Sequence, residues 1–336
     1  MKQKYVIGVD ISKKKVDIAV MGSSYEIIQE KIVPNTEEKL LKFFAQLLGK
    51  LKVNADELLV CCEETGIYSK PMQKACTGAV LPLWVETAFK IKKASTDFRG
   101  KSDKKDAIRI AEYAWRYSDK KRLYSEPASE NRDLQTLLNA RETLLLQITQ
   151  LKQQLNESKE FDKEKHALLK TCFQKPLLAM KKQLQGIEKL ISELVNQNQG
   201  IKKNVELLKS IPGIGMQNAL QFIVYTRNFT AFQSVNHLAC YAGVAPFPNE
   251  SGTIIKKARV SGFANKKLKK LLHMAAMASI RATGDLKSYF IRKVKEGKCK
   301  MLVLNNIRNK LIKRMFAVVK RETPYVSNKL ETGFAN

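Results

Sequence analysis

The chain has 336 residues, and its 60 lysines and arginines against 32 aspartates and glutamates give a formal net charge of +28. That length allows two or three domains with ordinary cores, and the charge favours polyanions, so nucleic acid is the expected partner. Neither a spanning stretch of roughly 20 apolar residues nor a signal-peptide segment is present, and the six cysteines form no C-x-x-C pair; these features predict a cytoplasmic protein with no membrane association, reduced core thiols and no zinc site.

The first third of the chain alternates between strand and helix patterns. Short β-rich runs at residues 5–11, 15–21 and about 25–33 predict an antiparallel meander. Further elements follow in chain order: a helix at 37–51, a strand at 58–63, a short helix at 68–76, a strand at 79–86 and a helix at 103–117. Three hairpin strands followed by helix–strand alternation is the order of the ribonuclease-H-like fold, so an α/β domain is expected here.

Four acidic residues in this region stand where a metal-dependent nuclease needs carboxylates. Asp10 ends the first apolar run, and Glu63 follows the apolar run at residues 58–62. Asp103 and Asp106 lie three apart at the start of a helical pattern, so they share one helix face. Crowded carboxylates repel one another unless cations lie among them, and Mg²⁺ with carboxylate and phosphate oxygens is the usual solution. The pattern predicts a two-metal site, with solvated strand ends as the alternative.

The middle of the chain predicts two long helices. Residues 134–155 and 177–208 carry apolar side chains at alternating spacings of three and four, which is typical of a coiled-coil seam. The first run has one polar member, Arg141, and the second has Asn198. A charged break at residues 158–165 separates the runs. The two helices either fold back as a hairpin on their own chain or, as we favour, form an extended arm that dimerises.

The composition shifts again at Ser210. The segment Ile211-Pro212-Gly213-Ile214-Gly215 predicts a helix-hairpin-helix-like turn whose amides can face a phosphate, with a simple tight turn as the alternative. A loop around Ser251 follows, and behind it comes a basic stripe that predicts a nucleic-acid backbone-binding face or, alternatively, a solvated lysine-rich helix. The members of the stripe are Lys256, Lys257, Arg259, Lys266, Lys267, Lys269 and Lys270.

Several of these segments together resemble one protein family. Gly8-Val9-Asp10-Ile11-Ser12, Glu63-Glu64-Thr65-Gly66-Ile67-Tyr68 and Lys101-Ser102-Asp103-Lys104-Lys105-Asp106-Ala107 resemble the three acidic motifs of the DEDD transposases of the insertion-sequence one-ten family. The Ile-Pro-Gly-Ile-Gly turn and the Ala-Gly-Val-Ala-Pro…Glu-Ser-Gly block are similar to the C-terminal transposase domain of that family. The resemblance covers nearly the whole chain in the right order.

The resemblance implies three domains: a RuvC-like domain at residues 1–125, a coiled-coil arm at 126–205 and a mostly α-helical C-terminal transposase domain at 206–325. It implies that a tetrad binds Mg²⁺ or Mn²⁺, formed by Asp10, Glu63, Asp103 and Asp106. Glu63 is preferred to Glu64 because the glutamate of the family stands two residues before Thr-Gly. Ser251 falls on the serine nucleophile of the family. One stretch departs from the family pattern Ser-Lys-x-Gly-Asn, since this chain has Ser261-Gly262-Phe263-Ala264-Asn265.

The function implied is that of a transposase or DNA recombinase. Its partners would be double-stranded DNA at the element ends and target, a structured noncoding guide RNA, and further copies of the chain in a dimer or tetramer. No histidine lies near Ser251 in the sequence, so the N-terminal carboxylates and their metal ions are expected to activate its attack on a DNA phosphodiester. Two alternatives stay open: a Holliday-junction-resolvase-like nuclease without a serine nucleophile, and a non-catalytic nucleic-acid-binding protein.

Overall fold

A computed structural model describes residues 3–94, 103–251, 254–260 and 264–326, with the backbone alone at residues 103–104 and 247–259. The chain divides into two compact units, residues 1–126 and 127–336. The division of the second unit near residue 205 into an arm and a transposase domain stays a prediction.

A five-stranded mixed sheet forms the centre of the first unit. Its strands are β1 (Tyr5–Ile11), β2 (Lys15–Met21), β3 (Ile27–Pro34), β4 (Leu58–Glu63) and β5 (Leu83–Glu86). They lie side by side in the order β3-β2-β1-β4-β5. The first three strands form an antiparallel meander, and β4 and β5 continue the sheet in parallel with β1. This is the strand order of the ribonuclease-H-like fold, so the expected fold class is confirmed.

Helices cover both faces of this sheet. They are α1 (Glu37–Leu51), α2 (Lys70–Gly78), α3 (Ala88–Ala94) and α4 (Asp103–Arg116). Successive residues of a strand point to opposite faces, so the continuous apolar runs of β1 and β4 supply two cores. Ile7, Val9 and Val60 pack in the cluster that includes α1 and α2, whereas Val6 and Leu59 pack in the cluster that includes α4.

The strand predicted at residues 79–86 begins four residues later than expected. Val80 has a φ of 55°, and the amide of Leu81 donates to the carbonyl of Cys76 at 2.8 Å. Residues 79–81 therefore complete the C-terminal end of α2 by satisfying carbonyls that the helix leaves open. The apolar composition of this short segment predicted strand because such runs do not distinguish a helix end from a buried strand.

The second unit begins with two long helices and continues with smaller elements. The long helices are α5 (Ser129–Phe161) and α6 (Lys163–Gln197). The remaining elements are α7 (Gln199–Lys209), α8 (Met216–Thr226), α9 (Val235–Tyr241), β6 (Pro246–Ser251), β7 (Ile254–Val260), α10 (Lys266–Arg281), α11 (Asp285–Lys295) and α12 (Lys300–Arg321). Strands β6 and β7 form a two-stranded antiparallel ribbon.

Helices α5 and α6 pack against each other as an antiparallel hairpin on their own chain. Arg141, the polar member of the first run, donates to Glu188 of α6 at 2.9 Å. The two helices are separated by one residue, Asp162, whose side chain accepts from the amide of Lys165 at 2.9 Å. The break is therefore shorter than predicted, because residues 158–161 still belong to α5. Dimerisation of this arm stays a prediction.

The prediction that Asn198 is a polar member of the second seam is wrong. Asn198 lies between α6 and α7 in an extended conformation, and its side chain accepts from the amide of Ile201 at 2.9 Å. It is the N-cap of α7, a position for which asparagine is among the preferred residues. The heptad spacing of the sequence runs on across this break because α7 continues to bury Ile201, Val205 and Leu208.

The prediction that the cysteines are core thiols is confirmed for some of them and wrong for others. Cys61, Cys62 and Cys76 are buried free thiols, as expected for core residues. Cys172 and Cys299 are exposed, so the prediction of core thiols is wrong for these two. None of the helices in the described part of the chain combines the length and apolar character needed to cross a membrane.

Candidate active site and nucleic-acid interface

Four carboxylates stand in a row across adjacent strands of the sheet. Asp10 pairs in register with Asp17 of β2, and Glu63 pairs in register with Glu86 of β5. Asp10 and Glu63 occupy the positions that follow the last registered pair of β1 and β4. Strand alternation places all four on the sheet face that packs against α4. The two predicted strand carboxylates are thus neighbours, flanked by two that were not predicted.

Helix α4 lies against β1 at Gly8. A Cβ built at Gly8 would overlap the carbonyl oxygen of Ala107 and lie 2.9 Å from the Cα of Ala111. Only glycine permits this close approach of a helix to a strand. Because Ala107 directly follows Asp106, the packing holds the helix that carries Asp103 and Asp106 against the strand that ends near Asp10.

The charges of these residues act on one another. Burial, and then the negative charge of Asp106, raise the pKa of the half-buried Glu63, while Lys92 and Arg109 lower it. Arg109 forms an ion pair with Asp106 at 2.8 Å. A carboxylate from β4 and one from α4 are therefore close enough to repel each other, which is the electrostatic situation expected of a cation site.

The donor set fits a hard divalent cation, although the described side chains do not complete a site. Mg²⁺ and Mn²⁺ prefer carboxylate oxygens, and a cation would relieve the repulsion between Glu63 and Asp106. Among the described residues, no three histidines, cysteines or acidic residues are grouped closely enough to hold a metal ion. The side chain of Asp103 lies outside that description. The ligand roles of Asp10, Glu63, Asp103 and Asp106 stay predictions.

Glu86 is a residue of this region that sequence reasoning missed. Its carboxylate is buried and accepts from the amide of Thr87 at 2.8 Å, from Lys90 Nζ at 3.1 Å and from Tyr113 Oη at 3.4 Å. It thus joins β5 to α3 and α4. The signal was present in the sequence, since Glu86 follows an apolar run just as Glu63 does.

Ser251 is the last residue of β6, paired in register with Ile254 of β7. The prediction that it lies in a loop is wrong for its backbone, because the strand pairing continues to this residue. Its side chain and residues 252–253 lie outside the described part of the chain. The nucleophilic role of Ser251 stays a prediction.

The Ile-Pro-Gly-Ile-Gly segment joins α7 to α8 as a helix–turn–helix hairpin. Gly213 has a φ of 93°, and a Cβ there would lie 2.6 Å from the carbonyl oxygen of Ala275 in α10. Ser279 of α10 donates to the carbonyl of Pro212 at 2.8 Å. Gly213 therefore serves the packing of the turn on α10. Gly215, at the start of α8, has open space on its side-chain face. Phosphate binding at this turn stays a prediction.

The basic stripe divides between two elements. Lys256, Lys257 and Arg259 lie on β7, whose side chains fall outside the description, and the four other lysines occupy the first turns of α10. Lys266 and Lys270 are exposed there. Lys267 instead forms an ion pair with Glu142 of α5 and donates to Asn139 at 3.4 Å. One member of the predicted face thus has partners within its own chain.

The stretch that departs from the family pattern has a local explanation. Ala264 stands where the pattern has glycine, and a Cβ built on Gly243 would overlap the Cβ of Ala264. Gly243, with a φ of 67°, makes room for this methyl group. The asparagine of the pattern is retained as Asn265, which caps α10 by accepting from the amide of Leu268 at 2.9 Å.

Comparison with known proteins gives a consistent result over both units. A DEDD model of the IS110 type, described as a transposase, matches residues 7–158, and a model described as "Transposase IS116/IS110/IS902 family" matches residues 205–290. The pilin gene-inverting proteins of Moraxella lacunata and Moraxella bovis are each 26% identical over 331 residues, which covers 96% of this chain and 98% of each relative.

Two further comparisons cover less of the chain. The transposase of insertion sequence IS1533 from Leptospira borgpetersenii is 29% identical over 158 residues, covering 46% of this chain and 43% of the relative. A structure of T. thermophilus RuvC in complex with a Holliday junction substrate matches 36% of this chain and all of RuvC, with 13% identity and a TM-score of 0.30. That structural likeness is too weak to support a functional conclusion. The two family matches, in the expected order along the chain, show that it belongs to the IS110 family of transposases.

Proposed function

We propose that this IS110-family chain cleaves and exchanges DNA strands through a covalent link to Ser251, with a divalent metal ion held by Asp10, Glu63, Asp103 and Asp106. The observation that carries the proposal is the neighbouring placement of Asp10 and Glu63 on the sheet face that α4 covers. The negative charge of Asp106 on α4 contributes to the raised pKa of Glu63, which supports a site that joins the strand carboxylates to a helix carboxylate. Asp103 lies one helical turn before Asp106.

The acidic residues have a defined task in this proposal. Asp10 and Glu63 lie at or next to the last residues of two adjacent parallel strands, and the glycine contact at Gly8 holds α4 against β1. Bound Mg²⁺ or Mn²⁺ would stabilise the negative charge that develops on the transferring phosphoryl group. Arg109 neutralises part of the charge of Asp106 and orients its carboxylate.

Ser251 is the proposed nucleophile. Its Oγ forms a bond to the phosphorus of a DNA phosphodiester, the bond from phosphorus to one sugar oxygen breaks, and the proton lost by the serine passes to that leaving oxygen. The resulting phosphoserine ester keeps the energy of the cleaved bond, so rejoining to another strand needs no ATP. The N-terminal carboxylates, from the same chain or another copy, are proposed to activate the serine, since no histidine stands near it in the sequence.

Nucleic acid binding rests on the charge of the chain and on its basic elements. The net charge of +28 favours DNA and RNA alike, and exposed Lys266 and Lys270 stand at the start of α10. A structured noncoding guide RNA, and assembly of two or four chains through the α5–α6 arm, are further parts of the proposal that come from the family resemblance and from the heptad spacing. The pilin gene-inverting relatives fit a reaction in which DNA segments are recombined.

Covalent capture of DNA tests the proposal. Wild-type protein with Mg²⁺ and labelled DNA should give an adduct that survives denaturation and yields phosphoserine, whereas Ser251→Ala should bind DNA without adduct. Asp106→Ala should also bind without cutting. Cutting by Ser251→Ala without adduct would identify a water-using, resolvase-like nuclease instead. If wild-type protein cuts no DNA when all element DNA and RNA are supplied, the chain is a non-catalytic nucleic-acid-binding protein.

Mixing two inactive variants tests whether chains share the site. Ser251→Ala and Asp10→Ala proteins are inactive alone under the proposal, and their mixture should regain part of the activity if serine and carboxylates come from different copies. No recovery, in a mixture shown to form mixed oligomers, would place the whole site within one chain.

A further inference from the structure

A buried guanidinium in the second unit lacks a carboxylate partner. Arg308 lies in the middle of α12 with 6% of its surface exposed, among the buried apolar residues Leu304, Ile307 and Leu311. Its Nη2 donates to His273 Nδ1 of α10 at 2.6 Å, and its Nε is buried with no hydrogen-bond partner. Among the described residues, no acidic side chain pairs with Arg308.

This arrangement is unusual for a buried arginine. A guanidinium keeps its charge at all physiological pH values, and burying a charge without a counter-charge is costly. Arg314 on the same helix shows the ordinary solution, since it pairs with Asp285 of α11. His273 does not supply a negative charge; its Nδ1 accepts a hydrogen bond, so the imidazole is neutral and carries its proton on Nε2. Burial, and then the charge of Arg308, lower the pKa of His273, which agrees with this form.

The surroundings of the pair indicate which kind of anion would suit it. His273 is partly exposed and lies one helical turn beyond Lys269 and Lys270 on α10, with Lys266 one turn earlier. A row of cationic side chains on one helix thus leads to an imidazole that is backed by a buried positive charge. A phosphate group matches this set, because its oxygens accept from both N–H donors and lysines, and its charge would offset that of Arg308.

We propose that Arg308 and His273 form an anion site that takes a backbone phosphate of the nucleic acid bound along α10. His273 donates from Nε2 to the phosphate, and Arg308 fixes the tautomer of the imidazole and supplies the charge. The site extends the basic face beyond the lysines, and it rests on the proposed nucleic-acid binding. The Arg308–His273 site differs from the exposed lysines of α10 because its charge is held in place by burial, whereas each exposed lysine side chain must be ordered on binding.

Thermal melts of the full chain with inorganic phosphate test the anion site by itself. Phosphate, compared with chloride at equal ionic strength, should raise the melting temperature of wild type but not of Arg308→Met. Lys313→Met removes one exposed charge from the same helix and should keep the full phosphate shift. Without phosphate, Arg308→Met should melt no lower than wild type, because an apolar side chain replaces an unpaired buried charge. A lower melting temperature together with an unchanged phosphate shift would make Arg308 a packing residue and overturn the proposal.

Binding of a labelled DNA duplex of arbitrary sequence tests the source of the phosphate. Arg308→Met should weaken binding about 10-fold, because the buried charge is lost and the imidazole is no longer held in the tautomer that donates to the phosphate, and Lys313→Met should weaken it less. A phosphate shift that depends on Arg308 with unchanged DNA affinity would assign the site to a free anion and overturn the nucleic-acid assignment. If Arg308→Met does not fold, His273→Gln serves instead, and an unchanged phosphate shift in that variant overturns the proposal. Failure of wild type to bind DNA at all would refute the proposed function, while the phosphate melts would still decide the anion site.

Discussion

Gly8 of β1 and Ala107 of α4 touch backbone to backbone, since a single added methyl group at Gly8 would overlap the carbonyl oxygen of Ala107. The contact connects the Gly8-Val9-Asp10 motif to the Asp103–Asp106 motif, which are almost a hundred residues apart in the sequence. A glycine two residues before the first acidic residue thus controls the distance between two parts of the candidate metal site.

Gly8→Ala should therefore damage both stability and activity. The methyl group must push α4 outward, at a cost of about 1–3 kcal/mol, and the displaced helix carries Asp106 away from Glu63. Urea unfolding and Mg²⁺-dependent DNA cleavage measure the two effects. Gly49→Ala is the control, because Gly49 in α1 has open space around its side-chain position and the change should be neutral or stabilising. Equal behaviour of the two variants would contradict the role given to this contact.

Glu63→Gln should stabilise the metal-free protein at neutral pH while abolishing cleavage. Because burial raises the pKa of Glu63, the folded state holds the proton to higher pH than the unfolded state. Stability is therefore lost as the pH rises from the ordinary glutamate value of about 4.3 through the raised folded pKa. Glutamine lacks this charge, so its advantage in melting temperature should be present at pH 7 and vanish below about pH 4.

Glu64→Gln is the matched control for that measurement. Glu64 is exposed and adjacent to Glu63, so its replacement should change neither the melting temperature nor cleavage. Loss of cleavage in Glu64→Gln, with cleavage retained in Glu63→Gln, would move the second acidic position of the tetrad by one residue.

The lysines of α10 should differ in their contribution to the salt dependence of DNA binding. Neutralising Lys266 or Lys270 should each lower the log–log slope by roughly 0.7–0.9. Lys267→Gln should change the slope less, since Lys267 is paired with Glu142 and its loss frees a carboxylate instead. Filter-binding titrations at several salt concentrations give the slopes. A Lys267 effect equal to that of Lys270 would mean that the ion pair opens when nucleic acid binds.

Lysine substitutions in the arm should separate its folding from its assembly. Leu144 and Leu151 are half-buried in the hairpin, so Leu144→Lys with Leu151→Lys should lower helical content and melting temperature. Leu168 and Leu178 are mostly exposed on α6, so Leu168→Lys with Leu178→Lys should keep the hairpin. If the arm dimerises, this second pair should reduce the mass seen by light scattering. An unchanged mass in both variants would confine the arm to its own chain.

The sequence predicted the sheet well because each strand had its own signal. The runs ending at Asp10 and Glu63 are apolar and bounded by turns, and α1 has clear helical spacing. The predicted bounds of these elements therefore agree with the structure within a residue or two. The hydrophobic spacing of α5 and α6 likewise predicted long helices. It did not decide between pairing within a chain and pairing between chains, since both bury the same seam.

Several of the failures share a physical cause, which is that they depend on contacts between distant segments. Spacing alone did not show that Lys267 would meet Glu142 or that Arg308 would be buried beside His273. Asp17 gave no signal because its place beside Asp10 follows from the register of β1 and β2. Asn198 was mistaken for a seam residue because a helix cap and a buried polar position both accept asparagine.

The α5–α6 hairpin determines a distance within the second unit as well as a packing contact between two helices. Leu134 and Leu138 of α5, with Ile191 and Val195 of α6, belong to the buried cluster formed with α7 to α12, and no residue of α5 beyond Leu138 is a member of that cluster in the described part of the chain. From Leu138 to Phe161 the helix extends for about 35 Å. The hairpin is thus fixed to the rest of the second unit at one end, and the length of its helices sets how far its other end extends. Removing seven residues from each helix would keep the heptad phase of the seam. It would also shorten the hairpin, so that the turn at Asp162 lies about 10 Å nearer to the buried cluster.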